Sequence, residues 1–546
     1  MINNDIKKIS VLALVVVILF GGCNKLSKAP SSQGGPDHKN TLIVDVGSET
    51  PTLDPQLAED VVANRIMNDL FAGLVDYDQQ NNIIPGMASS WDISPDKKIY
   101  IFHLRNGLKF SDGSPITAHD FVYSWQRLVN PKTASPYGFI LSKVVNAEAI
   151  MQGKLPPDKL GAIATNNNTF VVYLTNVDPA FIRSLSLMNV AVVPQKVIEK
   201  YGKKWTSPDN MVTSGAYTLK EHVVNGYILA QKNPYFYASQ YVNIPYIKYE
   251  PLEDKNATIS AYKAGDLDIT FQSIPVDQFN RIKTEYPKQL HVFLQEGNYF
   301  YDFNAHNPDL ANNLKLRKAL SMAVDREILV KKVLRQGQAP LYSTVTDTIE
   351  HGRFNNLHYD WMSWSRESRV ADAKKLYQEA GFSVDHPFQV TLAYNTNDLH
   401  KKVALAIASM WKQNLGVEVV LLNQEWKTFI QNRHQGDYQI ARDGWVADYD
   451  SVITYANLYQ CNGAQNNSHW CNREYDTLLS QAVLESNIEK QTQLYNKALR
   501  IPLDDYAVIP LFQYTIELLV KPRVTNYDAD NNHLYHVQSK WMKLTN

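Results

Sequence analysis

The stretch "ARDGWVADYD", residues 441–450, sets Arg442 and the carboxylates Asp443, Asp448 and Asp450 among small and aromatic neighbours. A carboxylate accepts from an ammonium through a charge-assisted bond about twice as strong as a neutral one, and a guanidinium can grip a carboxylate with two parallel bonds. Asp448 and Arg442 are thus suited to holding opposite charges. Taken alone, Asp448 reads rather as a strand-end carboxylate on a solvated face. A second pair, Cys461 and Cys471, bounds the polar loop "CNGAQNNSHWC". In an exported chain such a pair forms a disulfide; the competing zinc site would have only His469 nearby and lacks a fourth ligand. Bond-breaking chemistry finds no support, because G-x-S-x-G, H-E-x-x-H and Walker A motifs are all missing. "DADNNH" from Asp528 begins like a calcium loop, but it has no glycine at the sixth place and carries Ser539 at the twelfth, so it reads as a turn.

The elements that must position these residues follow a leader. Lys7 and Lys8 precede the apolar run Ile9 to Phe20, the layout of a secretory signal, and that run is too short to span a bilayer. Phe20-Gly21-Gly22-Cys23 resembles the lipobox of bacterial lipoproteins, with Phe20 where leucine is usual, so residues 1–22 read as a signal peptide and Cys23 as the lipidated first residue. Asn24 to Asn40 is polar and rich in Ser, Gly and Pro, a flexible tether. The body from Thr41 is too long for one core and calls for two or three domains. Its formal charge of -1 for the whole chain excludes a basic nucleic-acid footprint. With 31 Tyr and 10 Trp, it has aromatic surface both for cores and for sites that hold varied ligands.

Along the body, "TLIVDVGSE" alternates and breaks at Gly47 as a strand does, and a helix is expected from Asp60 to Leu74. "KKIYIFHLRNGLKFSDGSPITAHDFVYSWQRLV" predicts a strand, a turn at Asp112-Gly113 and a helix capped by Thr117. "KLRKALSMAVDREILVKKVL" and "LHKKVALAIASMWKQNLG" repeat apolar residues at helical spacing, the second stopping at Gly416 before the strand-like "VEVVLLN". Helices and strands alternate throughout, without solenoid repeats.

Between Ala88 and Arg127 the chain carries Trp91, Asp96, Tyr100, Phe102, Leu104-Arg105, Lys109-Phe110, Asp112-Gly113, Pro115, Thr117-Ala118, Asp120-Phe121 and Ser124. Further blocks are "SPY" at 135–137, "TSGAYTL" at 213–219, "YNTNDLHKK" at 394–402, "NQEWKTF" at 423–429 and "NRHQG" at 432–436. Together with 441–450 these resemble the extracytoplasmic solute-binding proteins of family 5, specifically the oligopeptide-binding branch that serves ABC importers, over essentially all of 41–546. The resemblance implies an α/β fold of the periplasmic-binding-protein type (type II, cluster C): two lobes with an extra inserted domain that close about a hinge. The first lobe would comprise 41–71, 198–294 and 516–546, the inserted domain 72–197, and the other lobe 295–515. It further implies a monomer without cofactor, held at the periplasmic side by its lipid, that takes oligopeptides to a permease.

By the same resemblance Asp448 would hold the peptide ammonium, while Arg442, Arg433 and His400 would serve carboxylates of ligands of different length. Gly444, Trp445, Val446 and Ala447 on one side, with Glu59 and Val61 on the other, would flank the peptide backbone as strand partners that read no side chain. Trp426, Trp445, Tyr137 and Tyr514 would wall roomy, watered side-chain pockets. Asp443 and Asp450 have no such match and read as structural or rim charges. Two departures stand out: Leu334, beside Arg335, replaces a lysine used for very short ligands, and Val446 replaces a cysteine whose partner is also missing near Gly297, which moves the bridge to Cys461 and Cys471. Other readings are an exported hydrolase, a surface adhesin or sensor component, and family members that bind nickel, haem, sugars or cell-wall peptides. A ligand without charged termini would not require both Asp448 and Arg442; a murein peptide, with an ammonium and several carboxylates, would.

Overall fold

The computed structural model describes residues 36–545 apart from 59, 80–81, 272–273, 462, 464, 486, 528–532 and 535. The signal segment, Cys23, most of the tether, Glu59 and most of "DADNNH" lie outside the described residues. No helix among the described residues is long and apolar enough to cross a membrane.

Three larger sheets organise the chain. The first runs Thr41–Asp45, Tyr246–Glu250, Tyr227–Lys232 and Tyr217–Val223, its first pair parallel and the others antiparallel. The second, Ala88–Ile93, Ile99–Leu104, Thr169–Tyr173 and Ala162–Asn166, is wholly antiparallel. Both drain into one continuous apolar core, to which the first sheet contributes Leu42 and Ile247 and the second Phe102 and Phe170, with Trp125 packed on Phe170. The third sheet has six strands in the order Ala339–Pro340, Val508–Leu519, Leu290–Phe303, Ile440–Val446, Gln389–Asn395 and Glu418–Gln424. It belongs to a second core built around Tyr299, Tyr301, Leu392 and Trp411.

Leu290–Phe303 and Val508–Leu519 join the two cores. Phe293, Ile516 and Leu518 are buried in the first core, whereas Tyr299 to Phe303 and Val508 to Phe512 are buried in the second. Their antiparallel register holds from Leu290↔Leu519 to Leu294↔Thr515 and then slips before Asn298↔Gln513. Residues 295–297 thus leave the ladder at the passage between cores, where a sheet bends most readily.

Local signals explain most element ends. Asp120 accepts from both the N–H (2.8 Å) and the hydroxyl (2.9 Å) of Thr117 at the head of Ala118–Val129. Gly416, at φ +85°, closes Asp398–Leu415 in the left-handed region that glycine tolerates. The helix expected over 60–74 is Val61–Leu70, since Phe71 turns extended. The periodicity over 314–334 does not give one helix: Leu314–Met322 ends, and Asp325 caps a new segment by accepting from Ile328 N–H at 3.0 Å. Cys461 and Cys471 form a disulfide, so the zinc alternative falls.

Candidate ligand-binding site

Ile440–Val446 pairs antiparallel with the strand that links the cores, from Phe303↔Ile440 to Gly297↔Val446. Neighbouring side chains on a strand face opposite ways, and here that separates the charges. On one side Arg442 donates from Nη2 to the Tyr514 hydroxyl at 2.7 Å, its guanidinium lying 5.1 Å from the Tyr299 ring centre. The Nε of Arg442 is buried without a partner, so part of its donor set is uncommitted. His400, at the start of Asp398–Leu415, packs 5.5 Å from the same Tyr299 ring. Burial, and then the charge of Arg442, drive its pKa down to about 2. His400 is therefore a neutral imidazole here, with a buried, unpartnered Nδ1, and not a cation.

On the other side Asp443 is buried and forms an ion pair with Arg433 at 2.8 Å. Its carboxylate also accepts from Asn467 Nδ2 at 3.1 Å, and from its neighbour Gly444 N–H at 2.7 Å. Burial, and then Asp443, raise the carboxyl of Asp302 well above the carboxylate range. Asp443 is thus structural and pairs with Arg433, whereas Arg442 has no carboxylate partner among the described residues; both guanidinium groups keep a buried Nε without a partner. That cross-element pairing had no local signature in the sequence.

Glycine is required at 444 because an added Cβ would collide with the Tyr514 hydroxyl and sit 3.0 Å from the Asn298 carbonyl oxygen. Its bare Cα lets Tyr514 reach Arg442. Gly297 stands directly across from Val446, the two positions at which the missing cysteine pair was inferred. Trp445 is half-buried, with its indole N–H unpartnered, while Val446 is 38% and Trp426 52% exposed, so all three retain surface for a ligand. Leu334 is fully buried, and the exposed Arg335 beside it takes a left-handed cap at φ +64°.

After Val446 the chain leaves the sheet. Ala447 is buried and donates its N–H to the Glu296 carbonyl at 2.7 Å. Asp448 follows, with no ion pair or hydrogen bond to its carboxylate among the described residues; burial alone raises its pKa from 3.8 to about 6. Asp448 is half-buried, and a carboxylate partly withdrawn from water without a partner is disfavoured in its charged form until a cation pairs with it. Beyond it, Tyr449 and Ser451 line a cavity of about 470 Å³ together with Phe139, Lys143, Asp178 and Arg183. Tyr137 packs at a tilt against Phe139, the ring centres 5.5 Å apart. Val61 is 51% exposed at the first turn of Val61–Leu70, where a helix N–H has no intrahelical acceptor. It is helical, so it offers a helix end and not the strand edge expected of it.

The family model for bacterial extracellular solute-binding proteins, family 5, matches residues 82–467. The chain belongs to this family. The family 5 chain is 38% identical to the periplasmic oligopeptide-binding protein OppA of Escherichia coli over 527 residues, covering 96% of each. Among solved structures it resembles Haemophilus influenzae OppA in complex with the peptide RPPGFSPFR, at 37% identity and a TM-score of 0.80 over 93% of this chain and 100% of that one. It also resembles the E. coli murein tripeptide binding protein MppA, at 36% identity and a TM-score of 0.82 over 93% and 99%. The fold is accordingly the two-lobed, type II periplasmic-binding α/β fold, and the chain is a solute-binding protein by family.

Proposed function

We propose that this protein captures oligopeptides in a cleft that closes between its lobes and delivers them to the permease of an ABC importer. Asp448 takes the peptide ammonium, and Arg442, assisted by Tyr514, takes the carboxylate or a carbonyl of the bound chain. The observation that carries this reading is the half-buried Asp448 carboxylate, which has no partner among the described residues while Arg433 is paired with Asp443 and Arg442 is turned to Tyr514. A ligand cation is what such a group lacks. The peptide backbone lies between 444–447 and the segment at 59–61, and Trp426, Trp445 and Tyr137 wall the side-chain pockets. His400 contributes as a neutral donor or acceptor. The lobes divide at 41–71, 198–294 and 516–546 against 295–515, with 72–197 inserted, and the protein works as a monomer tethered at the periplasmic side through lipid on Cys23.

Mass spectrometry of the exported protein, and of what it releases on denaturation, tests both parts. The expected result is a lipid-modified N-terminus at Cys23 and a mixture of peptides of several lengths. A single murein peptide would redirect the assignment to cell-wall recycling; a ligand without an ammonium, or an unmodified chain beginning elsewhere, would overturn the corresponding part.

A further inference from the structure

Asp448 and Tyr449 are suspended between two fixed points. On the N-terminal side the anchor is the Ala447 N–H on the Glu296 carbonyl. On the C-terminal side a second segment, 349–352, reaches in from elsewhere in the same lobe. Asp450 Oδ1 accepts from the Glu350 N–H at 2.7 Å. Glu350 Oε1 in turn accepts from the Val452 N–H at 2.8 Å and the Ser451 hydroxyl at 3.2 Å. Asp450 thus binds the backbone of Glu350 while Glu350 binds Ser451 and the backbone of Val452 just beyond Asp450, and Arg353 holds the remaining Glu350 oxygen at 2.6 Å.

The geometry has a conformational cost. Glu350 and His351 both lie in the left-handed region, at φ +50° and +57°, although neither is Gly or Asn. Such residues persist only where their surroundings over-determine them, and they gather at binding and switch sites. Here the left-handed pair aims the Glu350 N–H at Asp450 while keeping its carboxylate on 451–452. Arg353 pairs with Glu350, whereas Asp450 has no ion pair among the described residues.

We propose that Glu350 and Asp450 form a reciprocal clamp that fixes the Asp448–Tyr449 turn and thereby sets how tightly a ligand ammonium is held. The clamp rests on the assignment of Asp448 to the ammonium. Asp450 and Glu350 are positioning residues that act on the loop, although Glu350 also lines the cavity beyond it. Neither residue's type nor its neighbours in sequence announces the pairing, since it bridges segments a hundred residues apart.

The test is calorimetry with tetra-alanine bearing a free or an acetylated N-terminus, on wild type, Asp450→Ala and Asp450→Asn. The clamp predicts that Asp450→Ala weakens the free peptide about tenfold and leaves the acetylated one within about twofold, so that discrimination collapses. Asp450→Asn keeps an oxygen acceptor for the Glu350 N–H and should recover most of the loss. Equal weakening of both peptides by Asp450→Ala would mean a general structural role and would overturn the clamp. Wild type that binds both forms alike would instead remove the Asp448 assignment, and the clamp with it. Should Asp450→Ala not fold, hydrogen exchange on wild type decides: the Glu350 and Val452 amides must exchange slowly with and without peptide, and fast exchange in either state contradicts the proposal.

Discussion

Asp448 carries a proton balance that can be measured without any ligand. Its pKa in the folded chain, about 6, stands above the ordinary 3.8 because burial disfavours the charged form. The sign follows: the carboxyl's favourable contribution to folding is complete below about pH 3.8 and is lost as pH rises through about 6. At pH 8 the ligand-free protein therefore holds a charge it would be more stable without. Asp448→Asn should stabilise ligand-free protein at pH 8 by on the order of 1–3 kcal/mol, with the gain shrinking below pH 6 and gone near pH 4. Thermal melts across that range check it, and a gain independent of pH would show that charge is not its source. Residue types made Asp448 and Arg442 candidates in the sequence, and only resemblance to a family gave them roles. The opposite fates of Arg433, paired with Asp443, and His400, held neutral beside Arg442, were not visible, since each depends on a helix packing against a strand.

The strand Ile440–Val446 does the sorting, sending Arg442 to Tyr514 and Asp443 to Arg433. Gly444 lies between the strand and Tyr514, and the fit leaves no room for a methyl group. Gly444→Ala should therefore push Tyr514 away from Arg442, cost about 1–3 kcal/mol of stability as overpacking does, and weaken peptides with a free C-terminal carboxylate more than amidated ones. A variant that melts and binds like the parent would contradict this packing. Element ends marked by local chemistry were readable in advance: Gly416 stopping a helix and Thr117 opening one are short-range effects. The break after Met322 was hidden because apolar periodicity runs on through Ala323–Asp325. The left-handed Glu350–His351 turn was hidden because nothing in that dipeptide favours it.

Across the whole molecule, the pairings that make the fold are distant in sequence. Thr41–Asp45 lies against Tyr246–Glu250, and the tail returns to bury Ser539 on Asp69, which also receives Arg65 at 2.6 Å and the Tyr249 hydroxyl at 2.6 Å. Periodicity shows that strands exist but not which ones pair, so this arrangement was legible only through resemblance to a family. Under the proposed function, the two crossing strands and the register slip at 295–297 would serve the lobes as a hinge near Asp448, and closure about it would take a bound ammonium out of water. In a closed, dry cleft, removing one partner of a charge pair costs roughly 2–5 kcal/mol, about 30-fold to several thousand-fold in dissociation constant. Acetylating the peptide removes the same pair from the ligand's side, so the two losses must overlap rather than add. The decisive measurement is titration calorimetry of wild type and Asp448→Ala against tri-, tetra- and pentapeptides with free and acetylated N-termini. The pairing predicts a large loss for either change and little further loss for both together; free peptides bound as tightly by Asp448→Ala as by wild type, or fully additive losses, would contradict it.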